Sequence, residues 1–285
     1  MLPKVDYDHQ QHDVYDRGRV MSPDMTSRWM SVFADLAGPK RPQAVLDLGC
    51  GTGRLTPGLA QTFGGPVYGV EPSDKMRQEA INKAARDKTA RDMAVRGTAT
   101  SEAAAPALQY LSGSAERIPL DDASCDLVLM FLVLHHVQDR PAAATEIARV
   151  LRPGGRLLIR STLSDRIVDN AVGWKRFFPS ANEIERRLFP RSDEVIETFG
   201  AAGLEFVALE QVRECFASSF AEYTERLKHR AISTFEFLSE PEIDAGFARM
   251  DEVVAAEVEP RAVEADVDLM IFEAAQSLER QGKAG

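Results

Sequence analysis

The chain has 285 residues and a net charge of −10, with no run of basic residues, which argues against a sequence-independent grip on nucleic acid through clustered Lys and Arg. Its three cysteines, Cys50, Cys125 and Cys215, are odd in number and match no metal-ligand spacing, so they read as reduced structural residues and no metal is expected. No apolar run approaches a membrane span, and the start MLPKVDYDHQQHD is too polar for a signal peptide, which predicts a cytoplasmic protein without a membrane partner.

Residues 1 to 40 precede the core. Within them Met25, Trp29, Val32, Phe33 and Leu36 recur at helical spacing and predict a helix packed on a sheet. The stretch AVLDLGCGTGRL, from Ala44 to Leu55, follows. Its apolar start, ending near Asp47 and Leu48, reads as a buried parallel strand. Gly49, Gly51 and Gly53 alternate with Cys50 and Thr52, a spacing that permits a tight turn and a close ligand approach to the main chain. Arg54 to Phe63 reads as a helix, with Pro57 in its first turn.

A strand, a glycine loop and a helix form half of a nucleotide-binding βαβ unit. Arg54 stands where a dinucleotide fingerprint needs its third glycine, and no lysine follows in phosphate-loop position. The loop therefore suits an adenosine ligand without a pyrophosphate, and S-adenosylmethionine (SAM) is of that kind. Asp47 is better placed beside a sulfonium cation than beside a phosphate. Pro66 to Val70 is a second strand closed by Glu71, whose carboxylate can take both ribose hydroxyls, about 20 residues after the loop.

Ser73 or Asp74 can cap a helix that starts at Lys75. Arg86 to Pro106 reads as an extended helix end plus a loop, and a short third strand falls near Leu108 to Ser112. Asp126 to Met130 is the fourth strand. Phe131 and Leu132 then sit at the carboxyl end of the sheet, where open α/β folds bind ligands. His135 and His136 follow. A histidine there can serve as a general base, or the pair can order the loop through the backbone. Asp139 to Leu151 is a helix, and Pro153, Gly154 and Gly155 turn into a fifth strand, Arg156 to Ile159.

The pattern breaks over residues 161 to 191. Trp174, Phe177, Phe178 and Phe189 form either a wall over an active site or the segment's own small core. Arg160, Arg166, Lys175 and Arg176 are cations that could meet an anionic acceptor. A helix over 194–200 and a strand over 204–212 come next, then a helical stretch to about Glu259 and a last strand, Val267 to Phe272.

Five segments carry a resemblance: VLDLGCGTG at 45–53, GVEPSDKM at 69–76, GSAERIPL at 113–120, DLVLMFLVLHHV at 126–137 and RVLRPGGRLLI at 149–159. Together they make the chain resemble the class I SAM-dependent methyltransferases of the small-molecule type. The resemblance implies a seven-stranded, mostly parallel Rossmann-like sheet with helices on both faces and a helical lid, its last strand antiparallel between two others. It divides the chain into an N-terminal helical segment (1–40), a SAM-binding core (41–160), an insert over the active site (161–191), a core helix and strand (192–216), a helical lid (217–259) and a last strand with its tail (260–285).

The implied activity is transfer of the SAM methyl group to O, N or C of a small-molecule acceptor by in-line displacement. The implied cofactor contacts are Asp47, Gly49, Cys50, Gly51, Glu71, Pro72, Met76 against the adenine, Ala115, Glu116 and Phe131, with Ser114 standing where many relatives carry Asp. Tyr15 and Arg19 either fold over the cofactor or belong to a solvated turn. Of the two histidines, His135 matches the position that faces the acceptor in several relatives. A homodimer is possible. Two other outcomes stay open: a SAM-fold enzyme with a non-methyl reaction, and a SAM-binding regulator without turnover.

Overall fold

The computed structural model describes residues 18–19, 21–39, 43–95, 107–167 and 173–276, with side chains at 88–95 left aside. Tyr15 lies outside the described residues. Seven strands form one sheet in the order β3-β2-β1-β4-β5-β7-β6. They are β1 (Gln43–Leu48), β2 (Gly64–Glu71), β3 (Leu108–Ser112), β4 (Cys125–Phe131), β5 (Leu151–Arg160), β6 (Leu204–Ala217) and β7 (Val263–Ala274). The first five run parallel; β7 is antiparallel to both β5 and β6. The strand order reverses between β1 and β4, so a crevice opens at their carboxyl ends.

Alternation along the strands builds a core on each face. Leu46, Leu48, Val128, Met130 and Ile159 point to one cluster, covered by α4 (Arg140–Val150) and α6 (Ser192–Ala201). Val45, Leu127, Leu129 and Leu158 point to the other, covered by α1 (Pro23–Leu36) and α2 (Thr56–Phe63). β1 is buried along its whole length, as a central parallel strand must be.

Short polar residues cap several of the helices. Ser22 accepts from the Met25 N–H at 3.2 Å and Pro23 occupies the first turn of α1. Asp139 does the same for α4, accepting from Ala142 N–H at 3.0 Å. The helix after β2, α3 (Asp74–Val95), is longer than its opening residues suggest. Residues 96–106 lie outside the description. Among the described residues no helix is long and apolar enough to cross a membrane.

Two sequence expectations shift. The Pro153–Gly154–Gly155 turn is a bulge within β5, lying between the Cys125–Leu151 and Leu127–Arg156 pairs, with Gly154 at φ 74°. The last two strands also run further than their apolar stretches. Their pairing continues past Glu210–Leu269 to Ala217–Val263, beyond the end of β5. The β7 half of this ribbon, Val263–Asp268, alternates charged and small residues and the β6 half carries Arg213 and Glu214 side by side, so neither shows the apolar run that marks a strand.

Between β6 and β7 lie α7 (Phe220–Lys228), a short 3-10 turn at Ser233–Phe237 and α8 (Glu240–Ala256). They pack against the segment after β5, which holds a second short turn at Trp174–Phe177 and the helix α5 (Ala181–Leu188). Trp174, Phe177 and Phe178 share one apolar cluster with Leu227, Phe235, Leu238, Ile243 and Met250. The aromatics thus bury a cap core built jointly by two separated segments, and Trp174 also borders a cavity beneath it.

Candidate functional site

The loop after β1 is held by β2. Gly49 and Cys50 N–H groups donate to the Val70 carbonyl at 2.7 and 3.2 Å. Glu71 ends β2 nearly buried. One carboxylate oxygen accepts from Gly51 N–H at 3.0 Å and the other from Ser73 N–H at 2.9 Å. The acid at the second strand end therefore fixes the turn at the first.

Two glycines in that turn serve different ends. Gly49 has φ 73°, and a Cβ there would meet a Val133 methyl at 2.5 Å. Gly51 has φ 55°, and a Cβ there would meet only the Met76 methyl, at 3.5 Å. The first glycine is demanded by packing. The second leaves open space above the main chain.

That space is a cavity of about 150 Å³. Gly49, Gly51, Glu71, Pro72, Met76, Ser114, Ala115, Glu116 and Phe131 line it, and so does His136. Glu116 also ties the start of α4 in place, accepting from Gln138 N–H at 3.1 Å. Two expected contacts line neither this cavity nor the larger one beside it. Cys50 turns its thiol away toward Gly51 O and the strands, where burial pushes its pKa up. Asp47 lies behind the loop and accepts from Thr56 Oγ1 at 2.8 Å. Burial pushes its pKa up to about 6, against the Thr56 hydrogen bond and the Arg54 charge.

A second cavity of about 650 Å³ lies between the sheet's carboxyl end and the cap. Leu132 lines both cavities. Its φ is 61°, a left-handed backbone that costs a non-glycine residue roughly 1–2 kcal/mol, and its N–H donates to Arg160 O at 2.8 Å. The strained residue is thus the partition between the two spaces. Arg19 and His135 line the larger cavity. Arg19 Nε donates to Ala231 O of the cap at 3.1 Å, joining the N-terminal segment to the cap rather than to the smaller cavity.

His135 Nε2 lies 3.4 Å from Ser233 Oγ, and its Nδ1 is buried without a partner. Burial above all, then the charges of His136 and Arg19, hold its pKa well below the usual 6.5. The ring is neutral at physiological pH and can accept a proton.

Most charges around the larger cavity are already matched. Arg160 pairs with Glu214, Lys175 with Glu185 and Arg166 with Asp268, each at 2.8 Å. Arg176 lies over Phe177 and Phe220 and borders neither cavity. Arg54 was legible only as the residue replacing a glycine, yet it stands at the partition, over Phe131 at 5.5 Å. Among the described residues no cluster of three or more His, Cys, Asp or Glu side chains could hold a metal.

Residues 46–159 match the family model described as a methyltransferase domain. An uncharacterized methyltransferase of Mycobacterium tuberculosis is 37% identical over 163 residues, 57% of this chain and 53% of its own length. The ubiquinone/menaquinone biosynthesis C-methyltransferase UbiE of Idiomarina loihiensis is 33% identical over 133 residues, 46% of this chain and 47% of its own length. The chain thus spans about half the length of the curated relatives it matches. Among solved structures, the 4+2 cyclase SpnF shares the fold at a TM-score of 0.57 and 18% identity, over 91% of this chain and 85% of that one. A likeness of that kind speaks to architecture and leaves the reaction open.

Proposed function

We propose that this chain, whose residues 46–159 match a methyltransferase domain, is a class I SAM-dependent methyltransferase and transfers the methyl group of SAM to a small-molecule acceptor held in the cavity under the cap. The observation that carries this reading is the pair of adjoining cavities with Leu132 between them. One offers the acids and open main chain that suit a nucleoside; the other offers a separate, larger space a few atoms away.

The residues present fit the cofactor. Glu71 is acceptor-only and lines the cavity, so its carboxylate suits ribose hydroxyls. The open space above Gly51 lets a ligand lie on the main chain. Met76, Pro72 and Ala115 would flank the adenine, and Ser114 would accept from its amino group. A pocket for a whole small ligand usually occupies about 300–1,000 Å³, so the smaller cavity suits the nucleoside end and the remainder would extend toward Leu132. Asp47, behind the loop, would favour a cation there without touching it.

When bound, SAM supplies an activated methyl group on a sulfonium centre. The chain then has to align the acceptor with that methyl and exclude water. The cap provides the cover. His135, neutral and on the acceptor side, takes a proton from an acceptor that must lose one as it attacks. A carboxylate acceptor would need no such help.

The test is calorimetry with SAM and with S-adenosylhomocysteine, followed by an assay for released S-adenosylhomocysteine across phenol, amine, carboxylate and activated-carbon acceptors. Binding with turnover supports the proposal. Binding with conversion of an acceptor but no methyl incorporated would point to a non-methyl reaction on this fold, and binding without turnover to a regulator. Absence of binding to either nucleoside would falsify the reading.

A further inference from the structure

We infer that the acceptor is an anion with an apolar body, and that its carboxylate or equivalent oxyanion docks at the partition between the two cavities, on Arg54 and the Nε–H of Arg160. The inference rests on the methyl-transfer reading and names the substrate class of that same site.

Arg54 is the first reason. Its guanidinium donates to the Arg19 carbonyl at 2.7 Å and lies over the Phe131 ring at 5.5 Å. No carboxylate among the described residues bridges it; Asp47 acts on it only through space. It borders the larger cavity and not the smaller one. A planar fork of five donors held by one carbonyl and one ring is a group prepared for a bidentate oxyanion.

Arg160 is the second. It lies over the same Phe131 ring at 5.6 Å. One terminal nitrogen is engaged by Glu214, but its Nε is buried with no hydrogen-bond partner. Buried donors are rarely left unmatched, so an orphaned N–H beside a cavity points to a ligand atom. His135 Nδ1 is a further buried ring nitrogen without a partner on the same cavity. By contrast Arg166 and Lys175, the other cations suggested by the sequence, are closed by Asp268 and Glu185. The chain as a whole carries −10 and repels anions at long range, so an anionic ligand needs such a local cation. Trp174, Phe189 and Ile232 supply the apolar wall for its body.

The experiment uses three probes that share one bicyclic body and differ in charge: 2-naphthoate, 2-naphthamide and 2-naphthylmethylamine. Each is titrated calorimetrically into the full chain saturated with S-adenosylhomocysteine. The expected result is that naphthoate binds at least about tenfold more tightly than the amide, as a charge-assisted pair allows, and that the amine binds least. Arg54→Gln, with an unchanged melting transition, is expected to bring naphthoate and amide within about twofold of each other, and Arg54→Lys to restore part of the gap.

Equal affinities in the unmodified chain, a preference for the amine, or no naphthoate binding at millimolar concentration overturns the inference. So does a naphthoate preference that survives in Arg54→Gln. One specific failure is informative: Arg54→Gln weakens S-adenosylhomocysteine but not 5′-methylthioadenosine, which lacks the amino-acid end, and leaves the naphthoate preference intact. Arg54 would then serve the cofactor's own carboxylate. Loss of nucleoside binding in the unmodified chain is a separate result and sinks the methyl-transfer reading first.

Discussion

The His135 and His136 rings lie 3.8 Å apart, yet His136 borders the nucleoside-sized cavity and His135 the one under the cap. The strained Leu132 and the short turn at Leu134–His136 split the pair across the partition. Burial above all disfavours a proton on His135, and a proton on His136 adds to this.

His135 therefore sets a pH dependence of stability with a definite sign. Its folded pKa is held below the unfolded value of 6.5, so the unfolded chain binds the extra proton first. Its contribution is fully present above that value and is lost as the solution is acidified below it, by up to about 1.4 kcal/mol per pH unit for one proton. Urea denaturation between about pH 5 and 8 should show this slope, and His135→Gln should flatten it. The same variant should leave S-adenosylhomocysteine affinity within about threefold while slowing methylation of an acceptor that must lose a proton. An unaltered pH slope and rate would leave His135 a packing residue.

Glu71 supports two backbone N–H groups on different loops. Glu71→Gln keeps the shape but turns an amide NH₂ toward one of them, so a donor meets a donor. A mismatch of that kind costs about 1–3 kcal/mol. Denaturation should register the loss, and S-adenosylhomocysteine affinity should fall at least about tenfold, because the ribose contacts and the Gly51 turn fail together. Retained affinity would remove Glu71 from the proposed site.

The centre of the sheet was legible because β1 and β4 are buried along nearly their whole length and read as apolar runs. β1, with Asp47 and the glycines after it, is the clearest case. Two things were hidden. The ribbon extending β6 and β7 is charged and half exposed, so its residues Glu214, Asp266 and Asp268 look like a loop in sequence, although they line the larger cavity. The division of labour among cations was hidden too. Arg160, Arg166, Lys175 and Arg176 look alike in the sequence, and only their partners, Glu214, Asp268, Glu185 and the Phe177 ring, tell them apart. The three carboxylates lie 54, 102 and 10 positions from their cations, whereas Phe177 is the neighbour of Arg176 in the chain.

Asp47 presents the opposite sign from His135. Its pKa rises from 3.8 to about 6 on folding, mainly through burial. The folded chain holds the proton longer, so stability falls as pH rises between those values and stays lower above them. Asp47→Asn should keep the Thr56 hydrogen bond through its amide oxygen and remove the charge. At neutral pH the variant should be as stable as the parent or more so in urea denaturation. Its cost should fall on binding instead. SAM is cationic at sulfur and S-adenosylhomocysteine is not, so the ratio of their affinities should drop by roughly 3- to 10-fold, a modest through-space Coulomb effect. An unchanged ratio would mean that the carboxylate does not sense the sulfonium.

Gly246 tests whether the cap and the nucleoside pocket are separable. It lies within α8, and a Cβ there would sit 2.3 Å from a Phe178 ring carbon. Alanine gains about 0.8–1.0 kcal/mol over glycine in a helix interior, whereas overpacking a filled core costs about 1–3 kcal/mol. Phe178 is fully buried and edge-on to Phe235, Phe247 and Trp174, so its ring has no room to give and the overpacking term should win. Trp174 borders the larger cavity, while no described residue of the cap borders the smaller one. Gly246→Ala should therefore lower stability and raise the acceptor KM several-fold, with S-adenosylhomocysteine affinity unchanged by calorimetry. If nucleoside affinity fell in step with the acceptor's, the two cavities would be one cooperative unit, and Leu132 would be their shared hinge rather than the wall between them.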